Sequence, residues 1–262
     1  MLDFQRKDSY NVQDLVEIVR LLRAPGGCPW DAAQTHQSIR RNFLEEAYEV
    51  AEAIDEDSPA HLREELGDVL LQVVFHTGIE SDAGRFDLDG VADGICKKLI
   101  YRHPHVFGTV QVSDTGEVLR NWDALKKAEK GQATTADTMA AVARSLPGLW
   151  RAEKVQKKAK KAGFDWPDCN GAVDKLSEEL NELKEAIAQG TNVQEELGDL
   201  LFSVVNVARF LKADPEEALN AATEKFISRF AKVEEMALKE GKDMAQMSLE
   251  ELDKLWDRAK ST

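Results

Sequence analysis

Glutamates recur in this chain at spacings that let several carboxylates meet one cation. Glu45, Glu46 and Glu49 come first, followed by Glu65 and Asp68. On a helix, side chains three and four apart share a face, so Glu46 and Glu49 project together and Glu65 and Asp68 do the same. The pattern returns at Glu178, Glu179 and Glu182, followed by Glu196 and Asp199. If each pair of helices packs antiparallel, four acids converge in each set. Two carboxylates about 4 Å apart repel by roughly 4 kcal/mol at an effective dielectric near 20. Such a cluster must protonate, splay or hold a cation. Oxygen-only ligands suit a hard ion, Mg²⁺ with Mn²⁺ as a substitute, better than zinc or copper. The candidates to hold such an ion lie among Glu45, Glu46, Glu49, Glu65 and Asp68, and in the second set among Glu178, Glu179, Glu182, Glu196 and Asp199.

Acids at helical spacing are usually just a solvated face. Here they abut apolar positions, the whole arrangement occurs twice, and a glycine sits between the acids of the second helix each time (Gly67, Gly198). Glycine inside a helix costs about 1 kcal/mol relative to alanine, so its double appearance predicts close approach of something at that point. Cationic pairs follow each set. Lys98 with Arg102, and Lys225 with Arg229, are four apart and can grip one anion together. Trp122 precedes Lys126, and Trp256 precedes Lys260, by four residues as well. A tryptophan commonly anchors a core, but Trp plus Lys beside an acidic metal site suits a nucleobase and its phosphates.

Other chemistries lack their residues. No acid of either set has a histidine three residues later, as a di-iron bundle would need. Walker loop, GxGxxG opening a helix and GxSxG elbow are all missing. His103-Pro104-His105 reads as a helix-ending turn, and the lysines from Lys154 to Lys161 read as cations complementing a helix end before Gly163.

The elements that must carry these residues are helical. Leu66, Val69, Leu70, Val73 and Val74 form one apolar helical face, as do Leu197, Leu200, Leu201, Val204 and Val205. Ser58-Pro59, Asp214-Pro215 and Ser248 with Glu251 mark helix starts. Strand-like alternation is nearly absent, and about nine or ten helices with no sheet are expected. The acidic motifs are one part of a longer internal repeat. KLIYR at Lys98 to Arg102 matches KFISR at Lys225 to Arg229, WDALK matches WDRAK, and Gly27-Cys-Pro-Trp30 has a looser echo in Gly163-Phe-Asp-Trp166. All matches fall in the same order at an offset of roughly 130 residues, which marks a duplicated whole domain and not a solenoid turn. The expected organisation is a first helical domain at 1–130, a polar linker at 131–137 and a second helical domain at 138–262.

Composition bounds the function. The 262 residues are 43% apolar, ample for a folded core, and 48 acids against 34 bases give a net charge of −14. That field repels polyanions, so neither stable nucleic-acid binding nor an anionic membrane surface is expected. Three cysteines, Cys28, Cys96 and Cys169, without CxxC spacing argue against a disulfide framework. No apolar signal core opens the chain and no run reaches a membrane span. A soluble cytoplasmic protein is expected.

EExxE followed by ExxD resembles the motif of the all-α nucleoside triphosphate pyrophosphohydrolases. The segment from Gly26 to Val50 and the two-copy layout are similar to the MazG branch of that family over nearly the whole chain. The resemblance implies a helical fold that forms a homodimer and Mg²⁺-dependent hydrolysis of a nucleoside triphosphate (NTP) to monophosphate and pyrophosphate. It implies metal ligation by Glu179, Glu182, Glu196 and Asp199, and nucleotide binding by Lys225, Arg229, Trp256 and Lys260, with Lys175 as a further contact. Glu46, Glu49, Glu65, Asp68, Lys98, Arg102, Trp122 and Lys126 stand at the matching N-terminal positions. The C-terminal copy is the one usually credited with hydrolysis, and the stretch between Asp68 and Lys98 is longer than its counterpart. Glu178, or Glu45 in the first copy, points about 100° from its neighbouring ligand and is the candidate to orient or deprotonate the attacking water. A rival reading is a non-catalytic helical scaffold that binds nucleotides or docks a partner.

Overall fold

A computed structural model describes residues 4–129 and 131–260. Among them all regular structure is helical, with thirteen α-helices and one 3-10 turn. In chain order these are α1 (Val12–Arg23), α2 (Pro29–Ala33), α3 (Arg40–Asp55), α4 (Pro59–Asp82), α5 (Leu88–Arg102), α6 (Pro104–Phe107), α7 (Thr115–Glu129) and α8 (Thr135–Ala140). They continue with α9 (Gly148–Lys161), α10 (Cys169–Gln189), α11 (Val193–Leu211), α12 (Pro215–Lys239), the 3-10 turn Met244–Gln246 and α13 (Leu249–Lys260). The excess over nine or ten comes from short pieces such as α2, α6 and α8, which are too brief to show a periodicity. The chain forms two compact units that divide between Leu125 and Lys126. The polar stretch at 131–137 is partly ordered by α8, whose capping box joins Thr134 and Asp137.

Each unit is built on a helical hairpin. α3 and α4 are joined by three residues, as are α10 and α11, so both pairs run antiparallel and pack along their length. Local chemistry sets the turns. Ser58 caps α4 by accepting from His61 N–H, and Pro59 occupies the first helical position. Gly190 ends α10 at φ +70°, the left-handed region in which a helix-terminating glycine carries no Cβ penalty. Asp214 caps α12 by accepting from the N–H groups of Glu216 and Glu217, and Ser248 forms its reciprocal cap with Glu251.

The first unit's core joins Val19, Ile39, Val74 and Phe75, with Leu70 and Leu71 packed on it. In the second unit Val233, Ala237, Leu255 and Ala259 bind α12 to α13, with Trp256 against them. The apolar stripes expected to be buried are only half so. Val74 and Val205 are enclosed, but Leu66, Leu197, Leu201 and Val204 remain exposed. α11 is apolar on more than one side, and among the described residues α10 and α9 cover most of what is enclosed, with α12 touching it more lightly.

The first unit also encloses a polar knot beside its core. Buried Glu80 accepts from Arg85 Nη2 at 2.7 Å and meets His36 Nε2 at 2.5 Å, while His36 Nδ1 lies 2.7 Å from His76 Nδ1. Arg85 first, then His36, hold the Glu80 carboxyl at about 2, far below the ordinary 4.5. A depressed carboxylate contributes stability that is complete above 4.5 and is lost as pH falls towards 2. Glu80→Gln is therefore expected to lower the thermal midpoint of the first unit at pH 6. The gap to wild type should close as pH drops from about 5 to 2, followed by circular dichroism melts. A gap that stays constant with pH would remove Glu80 as the cause.

Candidate metal centre

The hairpins bring three carboxylates of each set together. In the second unit, Glu179 from α10 and Glu196 and Asp199 from α11 offer oxygens that all lie within 4.8 Å of one another. In the first, Glu46 and Glu49 from α3 meet Glu65 from α4 within the same limit. The fourth member of each set stands just outside. Asp68 does not join the first trio, yet its charge, after burial, helps raise the Glu46 carboxyl above its ordinary value. Glu182 is exposed and outside the second trio; desolvation and then the charge of Glu179 push its carboxyl up. In both cases loss of water comes first and the neighbouring carboxylates add to it.

Glu179 is the best fitted of these groups to hold a cation. It is only 6% exposed. One oxygen pairs with Lys175 at 2.8 Å, and the other is buried with no hydrogen-bond partner. A buried carboxylate oxygen without a donor costs several kcal/mol unless a cation or donor reaches it. The oxygen-only donor set suits Mg²⁺ or Mn²⁺. Lys175 also pairs with Glu178 at 2.7 Å, and the two carboxylates raise its pKa. In the first unit Glu65 is instead met by His61 at 3.2 Å, and Glu45 by Arg41 at 2.7 Å. Glu178 and Glu45 are exposed, each beside a cation one turn earlier, and Lys175 links Glu178 to Glu179.

The glycines between the acids have a different setting from the one expected. A Cβ at Gly67 or Gly198 would meet nothing within 4 Å, so among the described residues no neighbouring element approaches closely there.

A cavity of about 630 Å³ opens on the second trio. Glu179, Asp199 and Lys175 line one part, and Val155, Phe164, Trp166 and Phe202 another. Gln156, Asn206, Asp165 and Arg209 add polar groups. Sequence reasoning missed these four; the only signal was the Gly163-Phe-Asp-Trp166 echo. Gly171, in the first turn of α10, makes room for Trp166, because a Cβ there would stand 2.2 Å from the indole Cδ1. Gly171→Ala is expected to push the indole from its seat and shift tryptophan emission. Unchanged emission would show that the indole does not depend on the space Gly171 leaves.

The cationic residues are placed less closely. Lys225, Arg229, Trp256 and Lys260 lie on α12 and α13 and are not among the residues lining the cavity. Trp256 packs on Phe226 with ring centroids 5.1 Å apart, and Lys260 pairs with Asp257. Lys225 is exposed and Arg229 half-buried. In the first unit Lys98 is exposed on α5, and the guanidinium of buried Arg102 lies 5.9 Å from the Trp122 ring centroid; Lys126, four residues after Trp122 on α7, falls just past the boundary of that unit. Both tryptophans therefore take the anchoring role first.

The MazG nucleotide pyrophosphohydrolase domain matches the chain twice, over residues 34–107 and 170–234. These spans contain both carboxylate trios. The chain is 45% identical over 248 residues to the nucleoside triphosphate pyrophosphohydrolase/pyrophosphatase MazG of Thermotoga maritima, covering 95% of each. It is 40% identical to the nucleoside triphosphate pyrophosphohydrolase of Escherichia coli K12, over 95% of this chain and 97% of that one. It is 50% identical to the uncharacterized protein YabN of Bacillus subtilis, of which it spans half. With the domain matched twice and relatives aligned nearly end to end, the chain belongs to the MazG nucleotide pyrophosphohydrolase family.

Proposed function

We propose that the second unit hydrolyses nucleoside triphosphates to nucleoside monophosphate and pyrophosphate with Mg²⁺, or Mn²⁺ in its place. The observation that carries this reading is the orphaned, buried oxygen of Glu179 in a carboxylate trio that opens on a nucleotide-sized cavity. Glu179, Glu196 and Asp199, with Glu182 at the rim, would hold the ion. When bound, it supplies charge neutralisation and polarisation of phosphoryl oxygens. Glu178 orients a water and takes its proton as the water oxygen bonds to the α-phosphorus. The bond from that phosphorus to the bridging oxygen breaks, and pyrophosphate leaves towards Lys225 and Arg229. Lys175 keeps Glu178 and Glu179 aligned, Trp256 braces α12 through Phe226, and Lys260 adds a cation from α13 for the phosphates. Glu46, Glu49, Glu65, Asp68 and Glu45 with Lys98, Arg102, Trp122 and Lys126 form the weaker copy, in which exposed Glu49 and the His61 contact on Glu65 leave less reason for a cation.

We also infer a homodimer. Leu180, Ile187, Leu197, Leu201, Phe226, Ile227 and Phe230 are exposed on α10, α11 and α12, more apolar surface than a lone domain ordinarily shows. A second copy on this face would place Lys225 and Arg229 at the interface. Light scattering on the eluting protein should give twice 29.2 kDa. The three cysteines are free thiols, which suits a reducing cytoplasm, and no helix among the described residues is long and apolar enough to cross a membrane.

The direct test incubates the full chain with each NTP and Mg²⁺ and measures pyrophosphate against orthophosphate. Pyrophosphate with stoichiometric monophosphate supports the reading. No product with any nucleotide would favour the rival scaffold that only binds nucleotides or docks a partner.

A further inference from the structure

The cavity beside the second trio holds a second orphaned group. Among the described residues, two buried side-chain atoms lack a hydrogen-bond partner, Glu179 Oε2 and Gln156 Oε1, and both residues line this cavity. Glu179 belongs to the acidic end. Gln156 sits on α9 among Val155, Phe202 and Trp166 and is only 6% exposed. Its amide Nε2 donates to the Phe202 carbonyl at 2.8 Å. A carbonyl can only accept, so the amide cannot be turned over and Oε1 is fixed as an acceptor. Asn206 is fixed in the opposite sense. Its Oδ1 accepts from Arg209 Nε at 2.9 Å and Nη2 at 2.7 Å. A guanidinium only donates, which leaves the Asn206 amide nitrogen as a donor. The cavity therefore combines acids and Lys175, an apolar aromatic wall, and one oriented acceptor with one oriented donor.

We propose that this cavity is the nucleobase subsite of the second unit and that Gln156 Oε1 selects bases whose inserted edge carries an N–H donor. The inference rests on the hydrolase reading only for the identity of the phosphate end. With a triphosphate at Glu179 and Asp199, the base reaches the apolar wall of Val155, Phe164, Trp166 and Phe202. A flat ring suits that wall by stacking and by loss of water. A base edge pairs an N–H donor with an adjacent acceptor, the complement of the Gln156 oxygen and the Asn206 amide. A ring that brings no donor leaves the buried oxygen unpaired and binds more weakly.

Equilibrium binding decides it, measured calorimetrically on the full chain with Mg²⁺. The probes are non-hydrolysable triphosphate analogues of adenosine and of purine riboside, which lacks only the exocyclic amine. The wild type should bind the adenosine analogue on the order of 10-fold more tightly. Gln156→Leu should bring both to the weaker affinity, while binding of inorganic tripolyphosphate stays unchanged. Gln156→Met, of nearly the same shape, repeats the test if the leucine variant folds poorly. Equal wild-type affinities, or a preference that survives in a folded variant, would overturn the subsite. Since binding and turnover are read separately, a chain that shows this preference but releases no pyrophosphate would sink the hydrolase and leave the subsite standing. Turnover without the preference would do the reverse.

Discussion

Glu179→Gln is expected to lower Mg²⁺-dependent pyrophosphate release by on the order of 10³-fold. Glutamine keeps the size of the side chain and an oxygen that can still accept from Lys175, but it removes the negative charge from the position where one oxygen is buried without a partner. The loss should appear in kcat and in the metal requirement, with circular dichroism unchanged. A thermal readout separates ligand loss from misfolding. Mg²⁺ that binds only the folded state raises the wild-type midpoint in proportion to the logarithm of its concentration, and that rise should vanish in the variant. Without metal, the variant should melt no lower than wild type, because one charge has been taken from a mutually repelling set. Glu46→Gln under the same conditions should keep most of the turnover. The opposite outcome, with Glu46→Gln inactive and Glu179→Gln near normal, would move the active centre to the first unit.

The helical class, the hairpins and the duplication were legible because each is written in short-range terms. Proline after a capping side chain starts α4 and α12, and three connecting residues oblige α3 and α4, or α10 and α11, to run antiparallel. The carboxylates were legible in type, but not in how many or which of them meet: four were expected in each set, and three come together. The same motif yields Glu46, Glu49 and Glu65 in one unit and Glu179, Glu196 and Asp199 in the other. A small rotation of one helix about its axis decides which acid meets its neighbours, and packing sets that rotation. Gly67 and Gly198 hinted at a close neighbour that no neighbouring element among the described residues provides. Trp122 and Trp256 could be read as stacking platforms, but each first meets a residue of its own repeat, Arg102 or Phe226. Gln156 was hidden on a helix dominated by lysines. Its burial arises only when α9 packs on α11, a contact 46 residues distant in sequence.

The same packing makes Arg209 the residue whose loss should most destabilise the second unit. Its guanidinium donates to both oxygens of Asp165, Nη1 at 3.0 Å and Nη2 at 2.5 Å, and also to Asn206; its carbon lies 4.4 Å from the Phe210 ring centroid. The Arg209 side chain is 5% exposed and that of Asp165 14%. Arg209 above all holds the Asp165 carboxyl below its ordinary value, and so keeps it ionised. Arg209→Met would leave that carboxylate with Lys160 at 3.7 Å as its remaining ion pair, a loss expected at about 3–5 kcal/mol. Lysine should not restore it, since an ammonium cannot engage both carboxylate oxygens and Asn206 in one plane. Removing both charges with Arg209→Met and Asp165→Leu should recover much of the loss, because the cost comes from a buried charge left alone and not from a missing attraction. Urea unfolding can follow this in a chain with Trp30 and Trp122 replaced by phenylalanine, so that tryptophan emission reports on the second unit. A double variant as unstable as the single one would show that Arg209 acts through its stacking on Phe210. Recovery of stability without recovery of nucleotide affinity would show a second role. Asp165 lies between Phe164 and Trp166, so the ion pair also fixes the aromatic wall against which a base would stack.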